Sequence, residues 1–392
     1  MRVLFPTAKI GGFYAMQGVL LALQGKGHVC HILAFDQHTD PARRTIGELD
    51  AWCQEHGVGL SVMEYSQGGP ENYQDRLHTI IVSGWNLMQV IEDFRADTLL
   101  LFGDRIEVPM MALMAHNHPL RPLIVHVQGG DITGGLDDAM RDATTKLAHL
   151  HFTSTEQARQ RLIAMGERTE SVLAVGDPHL DSVKRILDTT DSGFVEGLGL
   201  VRGEYFVVLV HPETDNPDAA EGQILSVLAA VYEVGLPLVL IYPCNDLGHE
   251  PIIKQLEQAS KLIPEKSLLF KHLQQANLVA LMRDAAAVIG NSSMGLIEAP
   301  FIGTQAVNLG TRQRGRAYNG EWVTHLPFET NRIEDHLNLL LDEGKQPLSP
   351  DKTYGDGRSG ARIASLLETM FEFRTGLKDK RRAVMIKELK NA

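Results

Sequence analysis

Acidic residues of this chain gather where chemistry could use them. Within Thr98–Thr155, Asp104 and Arg105 follow the apolar run Leu99–Phe102. Asp131 follows a second run, Leu123–Val127, and Asp137, Asp138 and Arg141 come directly after. Carboxylates brought to one place do proton transfer, one removing a proton where another supplies it. Crowding of like charge there would raise the pKa of at least one of them. Asp137 and Arg141 stand four apart and can pair on one helix face, so Asp137 reads either as a proton-handling group or as a helix cap in an ordinary ion pair. The residues alone do not separate base from acid.

The two apolar runs are what must position these groups. Both are apolar almost throughout instead of alternating, the pattern of strands buried on both faces of a parallel sheet. Ligands of open parallel sheets bind beyond the carboxyl ends of the strands, which places Asp104, Asp131 and Asp137/Asp138 at one rim with Arg105 and Arg141 beside them. The flanking pattern agrees. Arg2–Phe5 reads as a strand, the Gly-containing loop PTAKIGGFY carries Lys9, and a helix runs from about Ala15 to Gln24. A strand at His28–Ala34, a helix at Pro41–His56, a strand at Val62–Tyr65 and a long amphipathic helix at Tyr73–Phe94 follow. Beyond the acidic stretch come a strand at His149–Ser154, with His149 and His151 packed in the sheet, then a helix at Glu156–Met165. A strand at Val172–Gly176 and a helix at Asp177–Ile186 close the half. Asp188–Glu204 is polar and Gly-bearing, and reads as a linker.

At Tyr205–Val210 the alternation restarts, with strand ends of a different chemistry. His211 follows the FVVLV strand and reads as an acid, as a phosphate ligand, or as a cap bonded to its own loop. Asn245 and Asp246, in PCNDLGHE after the strand Leu238–Tyr242, are candidate substrate-binding groups. GNSSMG, after a strand at Ala287–Ile289, lets backbone N–H groups approach a ligand. Ser292 and Ser293 add donors there, and the following helix would aim its positive end at the same point. An ordinary Ser N-cap explains the hydroxyls equally. Glu298 could accept from ribose hydroxyls. Arg312 and Arg316, after a strand at Ala306–Leu309, suit phosphate oxygens, so two consecutive strand ends read as a diphosphate site. The last helices are Ile333–Asp342 and Gly360–Phe371.

The predicted fold is therefore α/β, two doubly wound Rossmann-like domains with the active site in the cleft between them. Residues 1–187 carry the acidic rim, 188–372 the anion site, and 373–392 an amphipathic helix packing back on a domain. A chain of 392 residues has room for two such cores, and 44% hydrophobic with 22% charged residues is ordinary globular composition. A net charge of −12 argues against nonspecific nucleic-acid binding or an anionic membrane surface. Cys30, Cys53 and Cys244 show no metal-ligand spacing and read as free thiols in a reducing compartment. With no signal peptide and no membrane-length apolar run visible, the expected location is cytoplasmic.

GDRIE, VQGGDITGGLDDAMRDATTKLAHLHFTST, VGDPHLD, HPETDN, GNSSMGLIEAP, LGTRQRGR and YGDG, in this order, resemble the hydrolysing UDP-N-acetylglucosamine 2-epimerases from about Thr98 to Gly357. The resemblance implies the two-domain architecture shared with GT-B glycosyltransferases. It also implies elimination of UDP to a 2-acetamidoglycal and addition of water, giving the free 2-epimeric sugar, with no metal or nicotinamide cofactor. By motif position Asp104, Asp131 and Asp137 or Asp138 take the acidic roles. The departing UDP would carry its charge toward Arg312, Ser292, Ser293 and His211. A UDP-sugar substrate, a homodimer or homotetramer, and a role in nonulosonic acid synthesis are implied as well. Three departures stand out: Asp131 replaces the family's Glu, Asp142 its His, and the first loop carries Lys9 and Gly11-Gly12 in place of an Arg before Ala-Asp-Tyr. They bear on sugar specificity. The alternative is a GT-B glycosyltransferase with a UDP-sugar donor, which would release little free sugar without an acceptor.

Overall fold

Both faces of the strands are apolar, and the fold buries both. In β1 (Arg2–Thr7), Val3 and Phe5 enter one core while Leu4, between them, enters another on the opposite face. The computed structural model describes residues 1–39, 45–63, 73–133, 135, 137–189, 193–213, 215–244, 246, 248–344 and 349–378. The chain divides into two units: residues 1–131, 137–182 and 355–392, and residues 132–136 and 183–354.

In the first unit β1 is followed by β2 (Val29–Ala34), β3 (Gly59–Val62), β4 (Thr98–Phe102), β5 (Leu123–Val127), β6 (Leu150–Thr153) and β7 (Val172–Ala174). They form one parallel sheet in the order β3-β2-β1-β4-β5-β6-β7. The order reverses between β1 and β4, and that switch point puts the ends of these two strands at a natural crevice. The crossovers carry α1 (Ile10–Gly25), α2 (Ile46–His56), α3 (Tyr73–Phe94), α4 (Glu107–Asn117), α5 (Asp137–Leu147) and α6 (Glu156–Ala164); α7 (His179–Thr189) follows β7 and contains the division between the units, after Ser182. Helix α1 begins five residues before the position expected from sequence, taking in Gly11 and Gly12. Nine of its residues are buried, so it packs as an interior helix with no polar stripe to mark its start. Strand β3 ends where a strand was expected to begin, because Gly59 and Ser61 mask its pairing with His31–Ala34. Residues 64 and 65 of the expected strand lie outside the described residues. Helix α4 carries little amphipathic signal and was not foreseen.

The second unit repeats the plan. After α8 (Phe194–Gly197) come β8 (Phe206–Leu209), α9 (Ala220–Val234), β9 (Leu238–Ile241), α10 (His249–Leu262), β10 (Ser267–Phe270), α11 (Gln275–Asp284) and β11 (Ala287–Gly290). Then follow α12 (Glu298–Ile302), β12 (Ala306–Leu309), β13 (Val323–Leu326) and α13 (Thr330–Glu343). All six strands are parallel, ordered β10-β9-β8-β11-β12-β13, with the switch point between β8 and β11. The expected linker contains α8, whose Val195 is buried.

The domain boundary needs correction. Helix α14 (Ser359–Glu372), assigned from sequence to the second domain, belongs to the first unit. It lies against α1, sends Ile363, Ala364 and Leu367 into the same core as Phe13 and Leu20, and has its first N–H groups held by Asp181 (Ser359 N 2.7 Å, Gly360 N 2.6 Å). Helix α15 (Arg374–Lys378) adds Leu377 to that core. Most of the expected terminal helix, residues 379–392, lies outside the described residues. Among the described residues no helix is long and apolar enough to cross a membrane.

Candidate active site

The acidic rim forms around one buried cation. Arg141, on α5, is 1% exposed. Its guanidinium donates to Asp104 Oδ2 at the end of β4, to Asp138 Oδ1 (2.5 Å), and to the backbone carbonyl of Asp131 beyond β5 (2.8 Å). Three segments are thus pinned by one fork, the geometry for which guanidinium is suited. Burial opposes the charge of Arg141, but Asp104, Asp131 and Asp138 outweigh it and hold the group above its ordinary pKa. The cluster expected as crowded carboxylates is a set of carboxylates around a permanent positive charge. On its own helix Arg141 pairs with Asp138, three residues away. Asp137 sits in the first turn of α5.

Arg105, predicted to bind substrate, is bound by its neighbours. Its guanidinium donates to both oxygens of Glu107 (3.0 and 3.1 Å) and to Asp36 Oδ2 (2.8 Å), so it fastens the loop after β4 to the loop after β2. Lys9 stands at the N-cap position of α1, two residues beyond β1, with no side-chain hydrogen bond capping the helix. Beneath the rim lies His126, fully buried in β5. Its Nε2 donates to the Gly103 carbonyl (3.0 Å) and its Nδ1 accepts from the Thr145 hydroxyl (3.1 Å), tying the Asp104 loop to α5. Burial pushes its pKa down to about 3, so the ring stays neutral. His151 is buried in β6 as expected, and His149, expected in the same strand, is buried just before it.

In the second unit the site grows from the switch point. Asn291, 0% exposed just past β11, accepts from the His211 N–H and donates to its carbonyl. His211 Nδ1 accepts from the Cys244 N–H (3.0 Å), which leaves the ring proton on Nε2. Glu213 caps the arginine loop: one carboxylate oxygen takes the N–H of Thr311 (2.6 Å), its hydroxyl (3.0 Å) and the N–H of Arg312 (3.1 Å). Gly310 has φ +69°, and a Cβ there would lie 2.6 Å from that same carboxylate and 2.5 Å from the Phe328 ring. Arg312 reaches the Asn291 carbonyl (3.3 Å) and Asp246 Oδ2 (3.5 Å), and Asp246 also accepts from the Cys244 thiol (2.9 Å). Burial and Asp246 push that thiol up to about 12, so it is inert near neutrality. Asn245 lies outside the described residues.

The expected helix dipole at GNSSMG is not there. Ser293–Gly295 form a 3₁₀ turn, and α12 is five residues long and starts only at Glu298, too short to present an aligned N-terminus. Ser292 and Ser293 remain half-buried at the strand end beside Asn291, and Arg316 stands one turn beyond Arg312. Glu213, Asn291 and His126 were missed as individual residues. The signals were HPETDN and GNSSMG themselves, each holding a buried polar residue between an apolar strand and its crossover. Among the described residues, no group of three His, Cys, Asp or Glu side chains could hold a metal ion.

Two doubly wound parallel sheets, one ending in carboxylates and the other in arginine, serine and histidine, define a GT-B-like α/β protein. A family model for UDP-N-acetylglucosamine 2-epimerase matches residues 25–368, and the chain belongs to that family. It is 30% identical over 273 residues to a UDP-N-acetylglucosamine 2-epimerase of Neisseria meningitidis serogroup B, covering 69% of this chain and 70% of the relative. It is 31% identical over 283 residues to a hydrolysing UDP-N,N'-diacetylbacillosamine 2-epimerase of Legionella pneumophila, covering 72% and 73%. The crystal structure of the N. meningitidis UDP-GlcNAc 2-epimerase bound to UDP-GlcNAc superposes with a TM-score of 0.75 at 20% identity, over 94% of this chain and 100% of that one.

Proposed function

We propose that this protein is a hydrolysing NDP-sugar 2-epimerase that converts UDP-GlcNAc, or a UDP-diacetamido-trideoxyhexose, to UDP and the free 2-epimeric sugar. The observation that carries the reading is the fork of Arg141 on Asp104, Asp138 and the Asp131 carbonyl. A rim carboxylate takes the C2 proton; the C2–H pair becomes C1=C2 as the C1–O bond to UDP breaks. Water oxygen then bonds C1, losing its proton to a carboxylate, while C2 takes a proton on the opposite face. Asp104, Asp131, Asp137 and Asp138 are the candidates for this work, and Arg141 offsets their repulsion. Arg312, Arg316, Ser292, Ser293 and the Nε2–H of His211 suit the diphosphate and would stabilise the charge that UDP gains on leaving. Lys9, Asp246 and Glu298 are further substrate-binding candidates.

The hydrolysing relative from Legionella supports hydration over return of the nucleotide. Free N-acetylmannosamine-type product would feed nonulosonic acid synthesis. We also propose a homo-oligomer, since α3 leaves Ile81 59% and Trp85 66% exposed and neighbouring α4 leaves Leu113 45% exposed. Light scattering of the purified chain tests that. The reaction is tested in D2O without acceptor, with UDP-GlcNAc and a diacetamido analogue, read by NMR. Free manno-configured sugar deuterated at C2 with stoichiometric UDP is expected. UDP binding with no free sugar and no C2 exchange for any donor overturns the reading in favour of a glycosyltransferase.

A further inference from the structure

The motif VGDPHLD, at the end of β7, plays no part in the site above, yet it builds a second polar centre in the first unit. Asp177 is 0% exposed and accepts four hydrogen bonds: from Gln128 Nε2 (2.5 Å), Ser154 Oγ (3.1 Å), and both the backbone N–H (3.0 Å) and ring Nδ1 (2.9 Å) of His179. Burial would raise its pKa; the charge and hydrogen bonds of His179, with the Gln128 amide, more than reverse this and hold it below the ordinary carboxylate value. Gln128 reaches Asp177 from a left-handed backbone (φ +69°) that non-glycine residues rarely adopt. The strand ends of β5, β6 and β7 therefore converge on a single carboxylate.

That carboxylate holds His179. With Nδ1 on Asp177, the ring directs Nε2 away from the buried centre, and its side chain is 20% exposed. It packs edge-on against Phe102, 5.4 Å between ring centres, at the last residue of β4 and two residues before Asp104. A buried carboxylate orienting an imidazole at a strand end is the arrangement that presents a proton-handling nitrogen in one tautomer.

Inversion at C2 creates a need for such a group. A proton leaves one face of C2 and another arrives on the opposite face, and a single fixed carboxylate serves only one face. We propose that His179 is the second proton-handling residue of the reaction: as the imidazolium, with Nδ1–H held by Asp177, it gives the Nε2 proton to C2 of the glycal and is left as the neutral ring, with Asp177 and Gln128 as its positioning residues. In that step the C1=C2 pair forms the C2–H bond, water oxygen bonds C1 and passes its proton to a rim carboxylate, and the imidazole recovers its proton from solvent. The inference rests on the epimerase reading.

The test compares wild type with His179→Gln, His179→Ala and Asp177→Asn, following UDP, glycal and free sugar separately in D2O. The variants are expected to form free sugar about 10²- to 10⁴-fold more slowly, the range a general acid contributes, while still releasing UDP and letting glycal accumulate. Added imidazole is expected to restore hydration to His179→Ala, which a purely structural residue would not allow. Free sugar formed at the wild-type rate by His179→Gln overturns the proposal. So does equal loss of glycal and sugar in all three variants with no rescue. Failure of the wild type itself to release free sugar overturns the epimerase reading instead.

Discussion

Asn291 holds His211 by both sides of its peptide backbone: its Oδ1 accepts the His211 N–H at 2.7 Å and its Nδ2 donates to the His211 carbonyl at 2.8 Å. The two residues follow β8 and β11, the strands between which the sheet order reverses, so the amide bridges the crevice where a doubly wound sheet binds its ligand. Replacing Asn291 by Ala leaves the part-buried N–H and carbonyl of His211 without these partners, at up to ~1–3 kcal/mol each, and releases the imidazole. We expect UDP affinity, measured by calorimetry, to fall at least about tenfold, with unchanged affinity counting against a nucleotide site here.

Arg141 is surrounded by negative groups with almost no access to water. Arg141→Met keeps the volume and removes the charge, leaving Asp104 and Asp138 without their cation. Breaking a buried ion pair from one side costs ~3–5 kcal/mol, so urea unfolding should report a loss of that size together with loss of activity.

His126 makes the fold sensitive to acid. Its folded pKa is about 3 against an unfolded value near 6.5, so between these pH values the unfolded chain binds more protons and stability falls as pH drops. Above pH 7 it contributes no pH dependence. His38, pushed down to about 4 by burial, acts in the same direction. The difference in unfolding free energy between pH 7 and pH 4 should shrink by up to ~3 kcal/mol in His126→Gln.

Gly310 meets two demands at once, a left-handed backbone and the close approach of Glu213. Gly310→Ala should lose ~2 kcal/mol of stability, and it should also displace the Arg312 loop and weaken UDP binding. A melting temperature equal to wild type would show that the loop can relax without cost.

The acidic rim was legible because its residues sit at the ends of strands whose all-apolar sequences declare a parallel sheet. Which carboxylate pairs with Arg141 was not legible. A separation of three or four residues serves equally on a helix, and the choice is made by Asp104 and the Asp131 carbonyl arriving from elsewhere in the chain. The pairing of Arg105 with Asp36 was hidden for a similar reason, since the two lie 69 positions apart. Ser292 and Ser293 were correctly placed at a strand end, but the dipole assigned to them depended on a helix that starts only at Glu298 and ends at the left-handed Gly303. Asn291 and Glu213 are polar residues in loops, and only the closed structure shows that loop geometry needs them.

Helix α14 carries one more consequence. Val19, Leu20 and Leu23 of α1 share a core with Ile363, Ala364 and Leu367, more than three hundred positions later. A ribosome delivers the residues of the second sheet before it delivers α14, so the first half to be translated is the last to be completed. Until then the nascent chain carries an apolar groove along α1, and any truncation before residue 359 would leave that groove open to aggregation.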